Sequence, residues 1–319
     1  ISSRGSIKKI IYCDFASLRA LRETYSFTPK KSYFSTLMST EKQQLRIAIL
    51  DLYAGTSNQG MRGIRKTIQE FEENHQLECR VSEFEVRLAH EVPELDFDIF
   101  ISSGGPGSPL ESENSEWENL YFDWLQQLID YNNDKNNPVK KHVFFICHSF
   151  QLACRFFKAG KVINRKSQAF GVFPVHFLPA AHHEIIFKGL SDPFYAVDSR
   201  DYQVIQPNLS HLNKIGATIL AIEKARPHVP YERALMAIRF NEFMFGTQFH
   251  PEADTIGMIE YLHTEEKKKT VIENHGEPKW QSMVEQLHDP EKIKNTYDCI
   301  LPNFLTAAIR NKIVLSTHQ

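Results

Sequence analysis

The stretch LRIAILDLYA (Leu45–Ala54) is an almost unbroken apolar run of strand length, the pattern of a strand covered on both faces. In the following GMRGIRKTIQEFEENH, Met61, Ile64, Ile68 and Phe71 share one helical face and the charges fall elsewhere. CRVSEFEV then alternates as a second strand, and FDIFISS reads as a third that ends in GGPGSP. Helical spacing returns in SEWENLYFDWLQQLIDY, with Trp117, Leu120, Trp124, Leu125 and Leu128 on one side. After the polar linker NNDKNNP, an apolar segment beginning at His142 runs into Cys147, and a helical pattern starts directly behind it. Strands alternating with helices predict an α/β fold with a mainly parallel sheet.

From Lys161 the rhythm changes. GVFPVHFLPA, PFYAVDSRDYQVIQP, ATILAIEK and ALMAIRFNEFMFGTQFH read as strands with short connections, predicted as antiparallel additions to the same sheet. HTEEKKKTVIENHG reads as a charged, solvated helix, and the tail to Gln319 as mixed helix and loop without assignable chemistry. The predicted organisation is a basic extension over 1–43, an α/β domain over 44–263 and a C-terminal appendage over 264–319. The segment YAGTSNQGMRG, behind the first strand, is read as surface elaboration, with a place over the site as its alternative.

Composition narrows the class. The 319 residues carry a formal net charge of −2, so nothing global favours a nucleic-acid or acidic-membrane partner. No run approaches the ~20 apolar residues of a membrane helix. Cys13, Cys79, Cys147, Cys154 and Cys299 are scattered and odd in number, with no CxxC pair. That argues against a disulfide framework or a zinc site and for a reducing compartment, so a cytoplasmic protein without metal or cofactor is expected. Residues 1–37 hold a local charge of +5 and seven serines. Upstream sequence, a flexible basic tail and a targeting peptide all remain open for that segment.

Three features set Cys147 apart from a core cysteine. It sits where strand gives way to helix, and a thiol at a helix N-terminus is stabilised as thiolate. GTQFHPE (Gly246–Glu252) closes the last strand-like run, and a thiol nucleophile needs a base that is itself oriented by a third group. His250 and Glu252 supply both if the chain bends at Pro251. SSGGPGSP (Ser102–Pro109) leaves the third strand with exposed backbone N–H groups, suited to a developing oxyanion. A phosphate loop would need G-x-x-x-x-G-K-[ST], which is absent there, and an adenylating S-G-G-x-D-S loop would need an acid at Gly107. Cys154, seven residues beyond Cys147, is read as helix core.

The set SSGGPGSP, FICHSFQ and GTQFHPE resembles the class I glutamine amidotransferase domain, especially the glutaminase domain of GMP synthetase, over about Leu45 to Leu262. The resemblance implies a three-layer α/β/α sandwich with a mainly parallel central sheet. It implies Cys147 as nucleophile on a glutamine side-chain amide, His250 as proton shuttle and Glu252 as its orienting group. The backbone N–H groups of Gly105 and His148 match the family's oxyanion hole. Gln151 matches its substrate-contacting glutamine, and Ser199 and Arg200, within DSRD, fall beside the substrate's α-groups. Phe145 and Ser149 stand where the family carries glycines, and Arg200 stands where it carries histidine. Three functions follow as alternatives: ammonia supply to a separate synthetase or acceptor subunit, hydrolysis of γ-glutamyl conjugates without a partner, or a non-catalytic binding module on the same fold.

Overall fold

The computed structural model describes residues 44–289 and 292–316; the basic extension expected at 1–43 lies outside the described residues. Nine strands form one sheet. In chain order they are β1 (Gln44–Asp51), β2 (Glu78–Glu85), β3 (Ile99–Ser102), β4 (His142–Ile146), β5 (Lys161–Phe177), β6 (Phe194–Ile205), β7 (Thr218–Glu223), β8 (Leu235–Asn241) and β9 (Met244–Thr247). Their spatial order is β2-β1-β3-β4-β9-β8-β7-β5-β6. Neighbours from β2 to β9 pair parallel, and those from β9 to β6 pair antiparallel. The sheet is thus the parallel core with antiparallel additions that the sequence predicts.

Helices α1 (Gly60–His75), α2 (Glu116–Asn133), α3 (His148–Phe156) and α4 (Leu209–Ile215) follow strands, and α5 (Thr255–Leu262), α6 (Glu265–His275), α7 (Glu277–His288) and α8 (Ile293–Ser316) close the chain. Alternate residues of β1 explain the layers. Ile47 and Ile49 pack in a core with α1 and α8, whereas Ala48 and Leu50 pack in another with α2 and α3. A strand buried on both faces needs no polar side, which is why β1 reads as continuous apolar sequence. None of the described helices is long and apolar enough to cross a membrane.

Several elements differ from their expected form. The run ALMAIRFNEFMFGTQFH is a hairpin of β8 and β9, turned where the Asn241 side-chain oxygen accepts from Phe243 N at 2.9 Å. The turn reverses the chain so that β9 runs parallel to β4 and delivers Gly246–Glu252 to the same sheet edge as Cys147. On α2, Tyr121 is buried in place of the expected Leu120, beside Trp117, Trp124, Leu125 and Leu128. Ser115 caps this helix by accepting from Glu118 N, the S-x-x-E arrangement. The described residues behind 263 are mostly helical, and Ile300, Leu301, Phe304 and Leu305 of α8 are buried in the same core as β1 and β4. A third, smaller core joins Phe170, Val172 and Val197 of β5 and β6 to Met258, Leu262, Val271 and Met283 of α5, α6 and α7.

Candidate active site

β4 is wholly buried, and the chain breaks from it into α3 at Cys147, whose φ of 49° and ψ of −93° lie outside the ordinary regions. A non-glycine residue held there costs on the order of 1–3 kcal/mol, and its neighbours must fix it. Cys147 N donates to Thr247 O on β9 at 2.8 Å, and Cys147 O accepts from Gln151 N at 3.1 Å. Ser149 contributes most. Its hydroxyl accepts from Ile146 N at 2.8 Å and donates to Ser102 O at 2.7 Å, tying the elbow to β3 and β4. A glycine could make neither bond, so the serine stands in the family's glycine position with a structural task of its own. Phe145 takes the other glycine position because its partner across the β4–β9 pair is Gly246. A Cβ at Gly246 would come within 3.1 Å of Phe145 Cβ and 2.9 Å of the Phe150 ring.

The Cys147 thiol is 5 % exposed and touches polar groups: Ser199 O accepts from Sγ at 3.6 Å, and Gln248 Nε2 donates to Sγ at 3.8 Å. His250 arrives from the end of β9, its N–H bonded to Val197 O on β6 at 2.9 Å. The ring Nδ1 lies 2.8 Å from Glu252 Oε1, which leaves Nε2 for the sulfur. Burial works against a charged ring here. Glu252 and then the Cys147 sulfur, as charge and hydrogen-bond partner, outweigh it and hold the His250 pKa well above the ordinary 6.5. Glu252 is 1 % exposed and seats against α1. A Cβ at Gly63 would fall 2.1 Å from Glu252 O, so only glycine lets the helix approach this closely. Arg62 and Lys66 of α1 bind Asp254, at 2.6 and 2.7 Å, and lock that approach.

Cys147, His148, His250 and Gly105 line one cavity of about 320 Å³. A Cβ at Gly105 would fall 2.4 Å from Leu52 O, so the GGPG segment lies flat on the end of β1. Arg87 holds it there by donating to Pro106 O at 2.7 Å and Leu52 O at 3.2 Å, while Ser103 Oγ accepts from Leu52 N at 2.9 Å. His148 is the first residue of α3, so its backbone N–H has no acceptor within the helix. Its ring is fully buried, and burial, with Arg87 and Arg155 nearby, pushes its pKa down to about 3, so the ring stays neutral.

Gln151, Ser199 and Arg200 line the same cavity. Gln151 Nε2 donates to Gln248 Oε1 at 3.1 Å and Tyr202 O at 3.3 Å. The Arg200 guanidinium is 1 % exposed and turned inward: Nε donates to Asp198 at 2.8 Å, Nη1 to Tyr202 O at 3.2 Å and Nη2 to Glu223 at 3.3 Å. Glu223 also pairs with Arg165 and Arg226, at 3.0 and 2.9 Å, so Arg200 anchors β6 within a buried ion network. Tyr53 and residues 56–60 form part of the cavity wall, so the segment read as surface elaboration lies at the site. Gly60 in this segment is closely packed, because a Cβ there would strike the Tyr53 hydroxyl at 2.1 Å. Sequence reasoning also missed Gln248, although it sits inside GTQFHPE, and Lys267 of α6, which reaches the cavity from the tail. Cys154 is fully buried helix core, as expected, and burial raises its pKa.

No curated protein matches the chain by sequence. Among solved structures, a glutamine amidotransferase from Thermotoga maritima is similar at 13 % identity and a TM-score of 0.60, over 83 % of this chain and 98 % of that one. A protein from Thermoplasma acidophilum described as a putative GMP synthase subunit is similar at 16 % identity and a TM-score of 0.52, over 85 % and 98 %. The glutaminase domain of Trypanosoma brucei CTPS, solved with bound acivicin, gives 15 %, a TM-score of 0.50, and 83 % and 94 %. At these identities the likeness is one of fold. The family model for glutamine amidotransferase class-I matches residues 62–257, which hold the elbow, the glycine-rich segment and the β9 motif together. On that match, which spans most of the chain and includes the elbow and the motifs around it, the protein belongs to the class I glutamine amidotransferases.

Proposed function

We propose that the protein hydrolyses the side-chain amide of glutamine through a covalent intermediate on Cys147. The observation that carries this reading is the chain of contacts Glu252–His250–Cys147 at the mouth of a cavity shared with Gly105 and His148. The Cys147 thiolate attacks the amide carbon, and the carbonyl electrons move onto oxygen, facing the N–H groups of Gly105 and His148. Protonated His250 gives its proton to the departing nitrogen, so ammonia leaves and a γ-glutamyl thioester remains. A water then loses a proton to His250 as it attacks the thioester. The thiolate departs and glutamate is released, so the cycle consumes one water per amide.

The family relation supports glutamine hydrolysis in general. The triad, the thioester and the acceptor belong to this proposal. The acceptor is proposed as a separate synthetase, by analogy with the fold relatives described as a CTPS glutaminase domain and a GMP synthase subunit. The test measures glutamate and ammonia released from L-glutamine, beside glutamate released from a γ-glutamyl dipeptide. Turnover of glutamine, with the dipeptide at least about tenfold poorer in kcat/KM, is expected. Turnover of the dipeptide alone would replace the reading with a γ-glutamyl hydrolase.

A further inference from the structure

Lys267 belongs to α6, ten residues beyond the end of the family-matched segment, yet it lines the cavity that holds Cys147. Its Nζ stands 3.6 Å from the centre of the Phe170 ring and 5.4 Å from that of Tyr261. Two aromatic faces hold the ammonium in place and remove part of its water. Among the described residues it forms no ion pair. Asp201 and Glu266 are the acids that act on it electrostatically, and burial outweighs them, since its pKa is lowered. A partly dehydrated cation without a direct partner is short of an anion.

Strand β6 acts as a ruler from the sulfur to this cation. Ser199 O touches Cys147 Sγ, Arg200 is turned into the buried network, and Asp201, two residues beyond Ser199, lines the same cavity. Two strand residues advance about 6.6 Å. From the γ-carbonyl carbon of glutamine to its α-carboxylate is four bonds, about 5 Å in extended form. A γ-glutamyl group with its amide at Cys147 and its chain along β6 would extend its α-groups toward Asp201, which acts electrostatically on Lys267 in the same cavity.

Resting on the hydrolytic reading above, we propose that Lys267 binds the α-carboxylate of the γ-glutamyl substrate and so selects substrates in which that carboxylate is free. Arg200, committed to Asp198 and Glu223, is not available for the task. The Phe170–Tyr261 shelf keeps the ammonium at the cavity rather than in bulk solvent.

The test uses the full chain and a chloroketone that mimics glutamine, which alkylates the nucleophile with loss of chloride, together with the same reagent bearing an α-carboxamide. Labelling of Cys147 is followed by intact mass and peptide mapping. Lys267→Met, which keeps an apolar stem on the rings, should slow labelling by the carboxylate reagent about 10- to 100-fold, the scale of one charged hydrogen bond. It should leave the carboxamide reagent at the wild-type rate, and Lys267→Arg should restore most of the loss. Equal labelling of wild type and Lys267→Met by the carboxylate reagent would overturn the assignment. A slowing of both reagents alike would do so too, since it would mark a merely structural lysine. Failure of the wild type to label at Cys147 would instead overturn the hydrolytic reading on which the assignment rests.

Discussion

Cys147→Ala should reduce glutamine hydrolysis between about ten-thousand-fold and a million-fold, because Cys147 is the only thiol among the described residues that line the cavity. The residual rate would be that of an oxyanion site acting without its nucleophile. The substitution should leave the protein folded. The sulfur makes only long contacts, 3.6 Å to Ser199 O and 3.8 Å from Gln248 Nε2, whereas the elbow is held by backbone bonds and by the Ser149 hydroxyl. Thermal unfolding near the wild-type temperature together with lost turnover is therefore the expected pair of results. Activity that survived the substitution would remove the covalent route.

Glu252→Gln should cost about a thousand- to ten-thousand-fold in kcat, through the histidine rather than the thiol. The glutamine keeps the shape of the side chain and leaves the backbone carbonyl packed on Gly63 untouched, but it removes the negative charge that favours protonated His250. The sign of the pH effect follows. In the mechanism proposed above protonated His250 gives the proton to the leaving nitrogen, so the alkaline limb of kcat/KM marks loss of the His250 proton, at a pH well above 6.5. In Glu252→Gln that limb should move to lower pH. Stability obeys the same linkage: because the folded-state pKa of His250 is raised, its contribution is complete below the unfolded value near 6.5 and is lost as pH rises through the folded value. A kcat/KM profile of both proteins over that range checks the shift.

Much of this site was legible because its chemistry follows changes of pattern. An apolar run ending at Cys147 and a helical period starting at His148 place a side chain at a sheet edge without any tertiary information. The glycines of Ser102–Pro109 marked a segment with exposed backbone N–H groups at the sheet edge, and Gly105 lines the cavity that holds Cys147. What was not legible depended on long-range pairing. The β8–β9 hairpin is hidden in one mostly apolar run, since Asn241 and Glu242 are the only polar pair at its turn and no glycine or proline marks it, yet that turn makes β9 parallel to β4.

The tail was obscured for another reason. Ile300, Leu301, Phe304 and Leu305 have helical spacing, but Pro302 falls among them, and a proline there argues against a helix that packing nevertheless sustains. Arg200 shows a further limit. The resemblance places it beside the substrate's α-groups, and its pairing with Asp198 and Glu223 in a buried ion network could not be read from the sequence.

Cys79 and Cys299 are both more exposed than Cys147, so an unselective alkylating agent reaches them first. The glutamine-mimicking chloroketone should reverse that order. Peptide mapping of the wild-type protein should find it on Cys147 alone, with excess L-glutamine slowing the reaction. Label spread over Cys79 and Cys299, or on Cys147 at a rate glutamine does not change, would contradict a nucleophile built to meet glutamine.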